Sequence, residues 1–240
     1  KKDSRLRTKI VKERAPRRKK YKVDLRVHSP ASLGYMAIKG IDTAPAIVRL
    51  ARVKGLDVIA VTDFYSGRFI DSVKTASEES DLIIIPGVTI RGAIHNCNDV
   101  ILTCLFPESY TSKDIEEFLL GIGVPESSFG DSKYLVTMPF ERLLKAIEDS
   151  SGIAIPSKMD KTPYRMNAIP ILVEDYGFRV FDLAYPDTEQ FFKKRWPKLK
   201  FQLFTFSSAS ALAQVGSRSA TVQMKAPGYE GLQEIIRREG

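Results

Sequence analysis

The chain has 240 residues, 43% of them hydrophobic, and a formal net charge of +8 at pH 7. That length suits one domain of about 200–250 residues, and no apolar run nears the ~20 residues that span a bilayer. The charge is uneven: residues 1–22 hold twelve Lys or Arg against Asp3 and Glu13, whereas the rest carries 25 basic and 27 acidic residues.

The basic amino end has no apolar stretch like that of a signal peptide. A block of like charge is expected to stay unfolded and to act as an interaction arm. Residues 1–20 are therefore read as a basic, flexible segment and residues 21–240 as the domain. Weak nucleic-acid contact by residues 1–22 is a candidate function, although no aromatic residue precedes Tyr21 to stack on bases. Cys97 and Cys104 are too few for a disulfide framework and read as packing thiols. A reducing cytoplasm is the expected compartment, and no membrane contact is expected.

Val23–Ser29 alternates apolar and polar residues as a half-buried strand does. Pro30–Asp42 reads as a Gly-containing loop, and Thr43 as a cap for a helix over Ala44–Lys54. Val58–Thr62 is an apolar strand that emerges into polar Asp63. A helix follows over Phe69–Glu79, then a strand over Leu82–Ile85 leading into Pro86–Ile90. Asp99–Phe106 is a further strand. Ser112–Leu120 is an amphipathic helix capped by Ser112, and Gly121–Lys133 is a loop. A helix over Pro139–Ser150 precedes a strand over Gly152–Pro156. Pro170–Tyr176 opens with proline and stops at Gly177. Arg179–Leu183, Gln202–Thr205 and Thr221–Met224 complete the strands, and Tyr229–Arg237 closes the chain as a helix. Strands alternating with helices predict an α/β fold with a parallel barrel. Such barrels carry their sites where the strands end.

Two of these strand ends, Asp24-Leu25-Arg26-Val27-His28-Ser29 and Thr62-Asp63-Phe64, resemble the first motifs of the PHP (polymerase and histidinol phosphatase) family of metal-dependent phosphoesterases. In that family the motifs read H-x-H-S and T-D-H. The resemblance extends from Tyr21 to the end of the chain. It implies a distorted TIM-like (β/α)7 barrel with a cluster of divalent metals, such as Mn, Fe or Zn, at the strand ends.

The motif frames match, but most ligand positions do not. His28 keeps the second His of the first motif, while Arg26 replaces the first. Phe64 replaces the His of T-D-H. Pro86-Gly87-Val88-Thr89 matches P-G-x-E with Thr89 in place of the carboxylate. His95 is a loose match for the next His, with Ile101 competing. Ala154–Asp160 matches an A-H-P-D-like motif with Lys158 at the His position. Ser207–Ser210 matches S-D-A-H with Ser208 for Asp and Ser210 for His. The chain has only two histidines, a count that nearly excludes a cage of several imidazoles.

The leading expectation is a PHP-type phosphoesterase scaffold without its metal site or cofactor, catalytically inactive. It is either an engineered ligand knockout or a pseudoenzyme under selection for its fold. One alternative is a hydrolase with a reduced metal site at His28, Asp63 and Asp160, with His95 as a further candidate ligand. Another is a polyanion-binding module acting through the basic segment. Arg26, Lys158 and Arg91 together suggest a basic pocket for phosphate or another anion. Asp24 and Asp63 read as supporting or capping carboxylates, and Ser208 and Ser210 lack the neighbouring base a serine hydrolase needs.

Overall fold

The computed structural model describes residues 17–239. Residues 1–16, which hold most of the basic segment, and Gly240 lie outside the described residues. β1 (Lys19–Val27) is joined through α1 (Thr43–Val53) to β2 (Val58–Val61), and through α2 (Ile70–Ser77) to β3 (Ile83–Ile94). These three strands are parallel, with Val23 opposite Val58 and Val58 opposite Ile83. β4 (Cys97–Leu105) and β5 (Ile153–Pro156) extend the sheet past β3, and β8 (Ala220–Met224) lies against β1 at the other edge. β6 (Val180–Asp182) and β7 (Gln202–Phe204) form a separate parallel pair. The result is a curled six-stranded sheet with a two-stranded one beside its β5 edge, where Ser157 bridges to Asp182.

The sheet is not parallel throughout, as the alternation of strands and helices predicts. β4 runs antiparallel to both β3 and β5, and β8 runs antiparallel to β1. The cause is local. β3 continues through Pro86 as one twelve-residue strand, and only His95 and Asn96 separate it from β4. Two residues can close a hairpin but cannot make a parallel crossover. Lys19 and Lys20, assigned to the basic segment by charge, pair with Met224 and Gln223 of β8.

The remaining helices are α3 (Ser112–Gly121), α4 (Phe140–Asp149), α5 (Pro163–Met166), α6 (Ile169–Glu174), α7 (Glu189–Arg195) and α8 (Tyr229–Ile235). α5 and α7 are too short and polar to show a clear apolar period. Thr111, not Ser112, caps α3: its hydroxyl accepts from Asp114 N while the Asp114 carboxylate accepts from Thr111 N. Thr43 is the first residue of α1, behind Asp42.

Two apolar clusters hold the layers together. Val23, Val58, Ile85, Leu105, Ile155, Val180, Phe204 and Val222, one from each strand, meet in a single interior cluster. A larger one packs helices on the outer face, with Ile47 and Ala51 of α1, Val73 of α2, Leu143 and Ile147 of α4 and Leu172 of α6. Burying each large side chain contributes about 1.5–3 kcal/mol. Cys97 and Cys104 lie buried in β4 as free thiols. Among the described residues no helix is long and apolar enough to cross a membrane.

Candidate functional site: a basic cavity at the strand ends

The strand ends are tied together at one rim. Isolated parallel bridges join Val27 to Ala209, Phe64 to Thr89, and Ser157 to Asp182. This brings the motif positions into one place. Arg26, His28, Phe64, Lys158, Ser208 and Ser210 line a single cavity of about 500 Å³. Thr89 lies just beneath, fully buried, its hydroxyl donating to Thr62 O at 2.7 Å. His95 does not join them. It is exposed in the β3–β4 turn.

Two rim residues hold backbone conformations that side chains disfavour: Lys158 at φ 55° and Ser208 at φ 49°, with Tyr65 beside Phe64 at φ 47°. Left-handed non-glycine residues cost on the order of 1 kcal/mol and gather at functional sites. Gly130 pins the Pro30–Asp42 loop over the cavity. Its carbonyl accepts from Leu33 N, and a Cβ there would meet Ala31 O at 2.5 Å.

The Lys158 ammonium is the centre of the floor. Nζ donates to Asp182 Oδ1 at 2.9 Å, Leu183 O at 2.9 Å and Phe206 O at 3.0 Å. Three acceptors around three N–H groups require the charged form. Burial pushes this amine down, attraction to Asp182 opposes that, and Arg26 and Arg218 add to the depression. Asp182 is pushed up by burial and held down by Lys158 and then Arg26. The motif comparison missed Asp182. It ends an apolar strand as Asp63 does, and that is the signal that marks it.

Arg26 is 4% exposed. One of its nitrogens donates to Ser208 Oγ at 3.1 Å and lies 4.0 Å from Asp182 Oδ2. Its guanidinium also lies over the Phe64 ring, 5.8 Å from the centroid, and His28 stacks on that ring at 5.3 Å. Phe64 thus fills the space between a cation and an imidazole. Burial, with Arg26 nearby, pushes His28 down to about 3, so it is neutral at ordinary pH.

The other carboxylates are committed to loops. Asp63 accepts from Ser29 N, Ser29 Oγ and Ser32 Oγ at 2.5–2.6 Å. Asp24 accepts from Ser207 Oγ and N and from Gly216 N. Asp160 accepts from Ala184 N, Tyr185 N and Thr188 Oγ1. Neither Asp63 nor Asp160 lines the cavity with His28. Among the described residues no group of three or more His, Cys, Asp or Glu side chains could hold a metal ion. The donor set at the rim is cationic, aromatic or neutral hydroxyl, and it does not fit the divalent metals that the motif resemblance implies.

Arg91 does not reach the cavity either. It pairs with Asp99 and donates to Ser132 O. Lys161, Arg165 and Arg218 line the cavity instead, so five cations and no carboxylate face it. Their positions lie outside every motif frame, which is why sequence matching passed over them.

No family model matches the sequence, and no curated protein does. Solved structures share its fold. A structure of endonuclease Q, complexed with a 27-mer duplex substrate with an abasic lesion at the active site, superposes with TM-score 0.59 and 12% identity over 91% of this chain. This chain spans 56% of that one. An amidohydrolase from Chromobacterium violaceum with bound sulfate and no metal gives 0.56 and 11% identity, covering 90% of this chain and 97% of that one. A chain described as a metal-dependent phosphoesterase from Bifidobacterium adolescentis gives 0.52 and 14%, covering 89% and 95%. The fold is thus that of metal-dependent phosphoesterase and amidohydrolase structures.

Proposed function

We propose that this chain is a PHP-type barrel whose metal site has become a basic pocket, and that it binds a small oxyanion without hydrolysing it. The observation that carries this reading is Lys158. A carboxylate and two carbonyl oxygens form an oxygen shell around its ammonium, so the chain supplies its own cation at the rim. A tethered cation cannot ionise a water or open a coordination position, which is what metal catalysis of phosphoryl transfer requires. The amidohydrolase structure with sulfate and no metal is in keeping with an oxyanion on a metal-free chain of this fold.

Free Cys97 and Cys104 accord with work in a reducing compartment.

Calorimetric titration with inorganic phosphate and with sulfate tests the reading, alongside a phosphoesterase assay with added divalent metals. Binding that is lost in a folded Arg26→Met variant, with no hydrolysis, is the expected result. Metal-dependent turnover, or no anion binding, overturns it. The +10 charge of residues 1–22 supports a separate nucleic-acid contact. Because Lys19–Lys22 pair with β8, the deletion that tests it ends at Pro16, and loss of salt-dependent binding is expected.

A further inference from the structure

We propose that the cavity takes a ligand with two separated oxyanion groups. One sits on the floor at Arg26 and Ser208, the other at the mouth at Lys161 and Arg218. This rests on the oxyanion reading above and specifies its ligand.

The five cations that line the cavity are not equivalent. Lys158 spends all three N–H groups on oxygen acceptors. Arg165 is paired with Asp99, Nε to Oδ2 at 2.7 Å. Arg26 is different. It is buried, the one carboxylate it pairs with is already bonded to Lys158, and its Nε has no partner among the described residues. A buried donor without an acceptor costs about 1–3 kcal/mol, more when charged, so native structures leave very few.

Arg26 is not alone in this. His28 Nδ1 and Tyr35 Oη are also buried without partners, and both residues line the same cavity. Of the five unpartnered buried polar side-chain atoms among the described residues, three belong to residues that line it. All three can donate a proton to an oxygen. A tetrahedral oxyanion at Arg26 brings acceptor oxygens to this part of the wall and balances the excess positive charge of the floor.

A single such group leaves the mouth unused. Lys161 and Arg218 are exposed and form no ion pair among the described residues; Arg218 donates only to Ala184 O. Solvent alone can carry exposed cations. What points to a second group is their place on the cavity that holds Arg26, whose lining includes no carboxylate. At about 500 Å³ the space is that of a small organic ligand rather than one ion. Phe64, Tyr35 and Tyr185 also line the cavity and offer apolar surface to the connecting atoms.

The test is a calorimetric series on the full chain. Ethylphosphonate supplies one charged group, and alkylene bisphosphonates of increasing methylene length supply two. The expected result is an optimum linker length at which the bisphosphonate binds on the order of 100-fold more tightly than ethylphosphonate, as a tethered second contact gives. Replacing Arg218→Gln and Lys161→Gln together should remove that optimum, with the melting temperature reporting an intact fold. Bisphosphonates that bind no better than ethylphosphonate overturn the two-group inference and leave the oxyanion reading standing. A gain equal at every length is plain charge attraction and also overturns it. If neither class binds, the oxyanion reading itself falls.

Discussion

Lys158 Nζ and Asp182 Oδ1 stand 2.9 Å apart, and the second oxygen of that carboxylate lies 4.0 Å from Arg26. One buried acid thus answers two buried bases. Removing one partner of a buried pair leaves an uncompensated charge and costs about 3–5 kcal/mol. Lys158→Met should therefore destabilise the fold by that order in urea unfolding. Asp182→Asn should cost as much or more, since it strands two cations. The double variant should be far less unstable than the sum of the two. Additive losses would show that Lys158 and Asp182 do not act as a pair.

His28 gives a spectroscopic reading of the same site. Burial first, and Arg26 second, push it from 6.5 down to about 3. Its folded value lies below its unfolded one, so the stability linked to it is present above about pH 6.5 and is lost as the pH falls towards 3. NMR of the imidazole should show no titration between about pH 5 and 8. A His95→Gln variant assigns the signal, because the chain has only two histidines. Arg26→Met should move the midpoint upward, as should a bound oxyanion. A midpoint near 6.5 in the unaltered protein would refute a buried, neutral His28.

Asp24 and Asp63 act in the opposite sense. Burial raises each from 3.8 to about 6, against the hydrogen bonds from Ser207 to Asp24 and from Ser29 and Ser32 to Asp63. The folded state holds these protons more tightly than the unfolded one. Their contribution is greatest below about pH 3.8 and is lost as the pH rises to about 6. A tenfold difference in proton affinity between the folded and unfolded states is worth roughly 1.4 kcal/mol. Asp63→Asn removes one such contribution, so its unfolding free energy should rise more steeply from pH 4 to 6 than that of the parent. Parallel curves would count against a raised carboxyl.

What could be read from the sequence follows from what each signal depends on. β1, β2 and the order of later strands were legible because apolar runs ending in polar residues record burial directly. The rim was legible because motif frames such as Val27-His28-Ser29 and Thr62-Asp63 fix where strands end. The antiparallel β4 was hidden by ending the strand at Ile85, although proline can sit within a strand where its missing N–H is not needed. The cavity's character was only half visible. Arg26 and Lys158 stand in motif positions, whereas Lys161, Arg165 and Arg218 reach the site from loops and α5. Arg91, near in sequence logic, is held away by Asp99. Which cation faces a cavity depends on pairing in three dimensions, and composition does not encode it.

The motif positions also predict what restoring them does. Arg26, Phe64, Lys158, Ser208 and Ser210 line one cavity, with Thr89 beneath and Asp182 at the floor. A variant carrying Arg26→His, Phe64→His, Thr89→Glu, Lys158→His, Ser208→Asp and Ser210→His would replace two cations and a phenyl ring with imidazoles. It would also add two carboxylates to this set, while Asp182 loses Lys158 and becomes free to ligate. Without metal, these close carboxylates repel one another and stay desolvated, so the variant should melt below the parent. Added zinc or manganese should raise its melting temperature in a concentration-dependent way, by linkage to the folded state. The parent, whose oxygen shell already holds the Lys158 ammonium, should show no such rise. Partial sets should gain little, because a cluster forms only when its ligands act as a unit. Elemental analysis of the dialysed variant gives the readout. A folded sextuple variant that retains no divalent metal would mean that these positions converge without forming a cage, and the motif alignment at the rim would have to be redrawn.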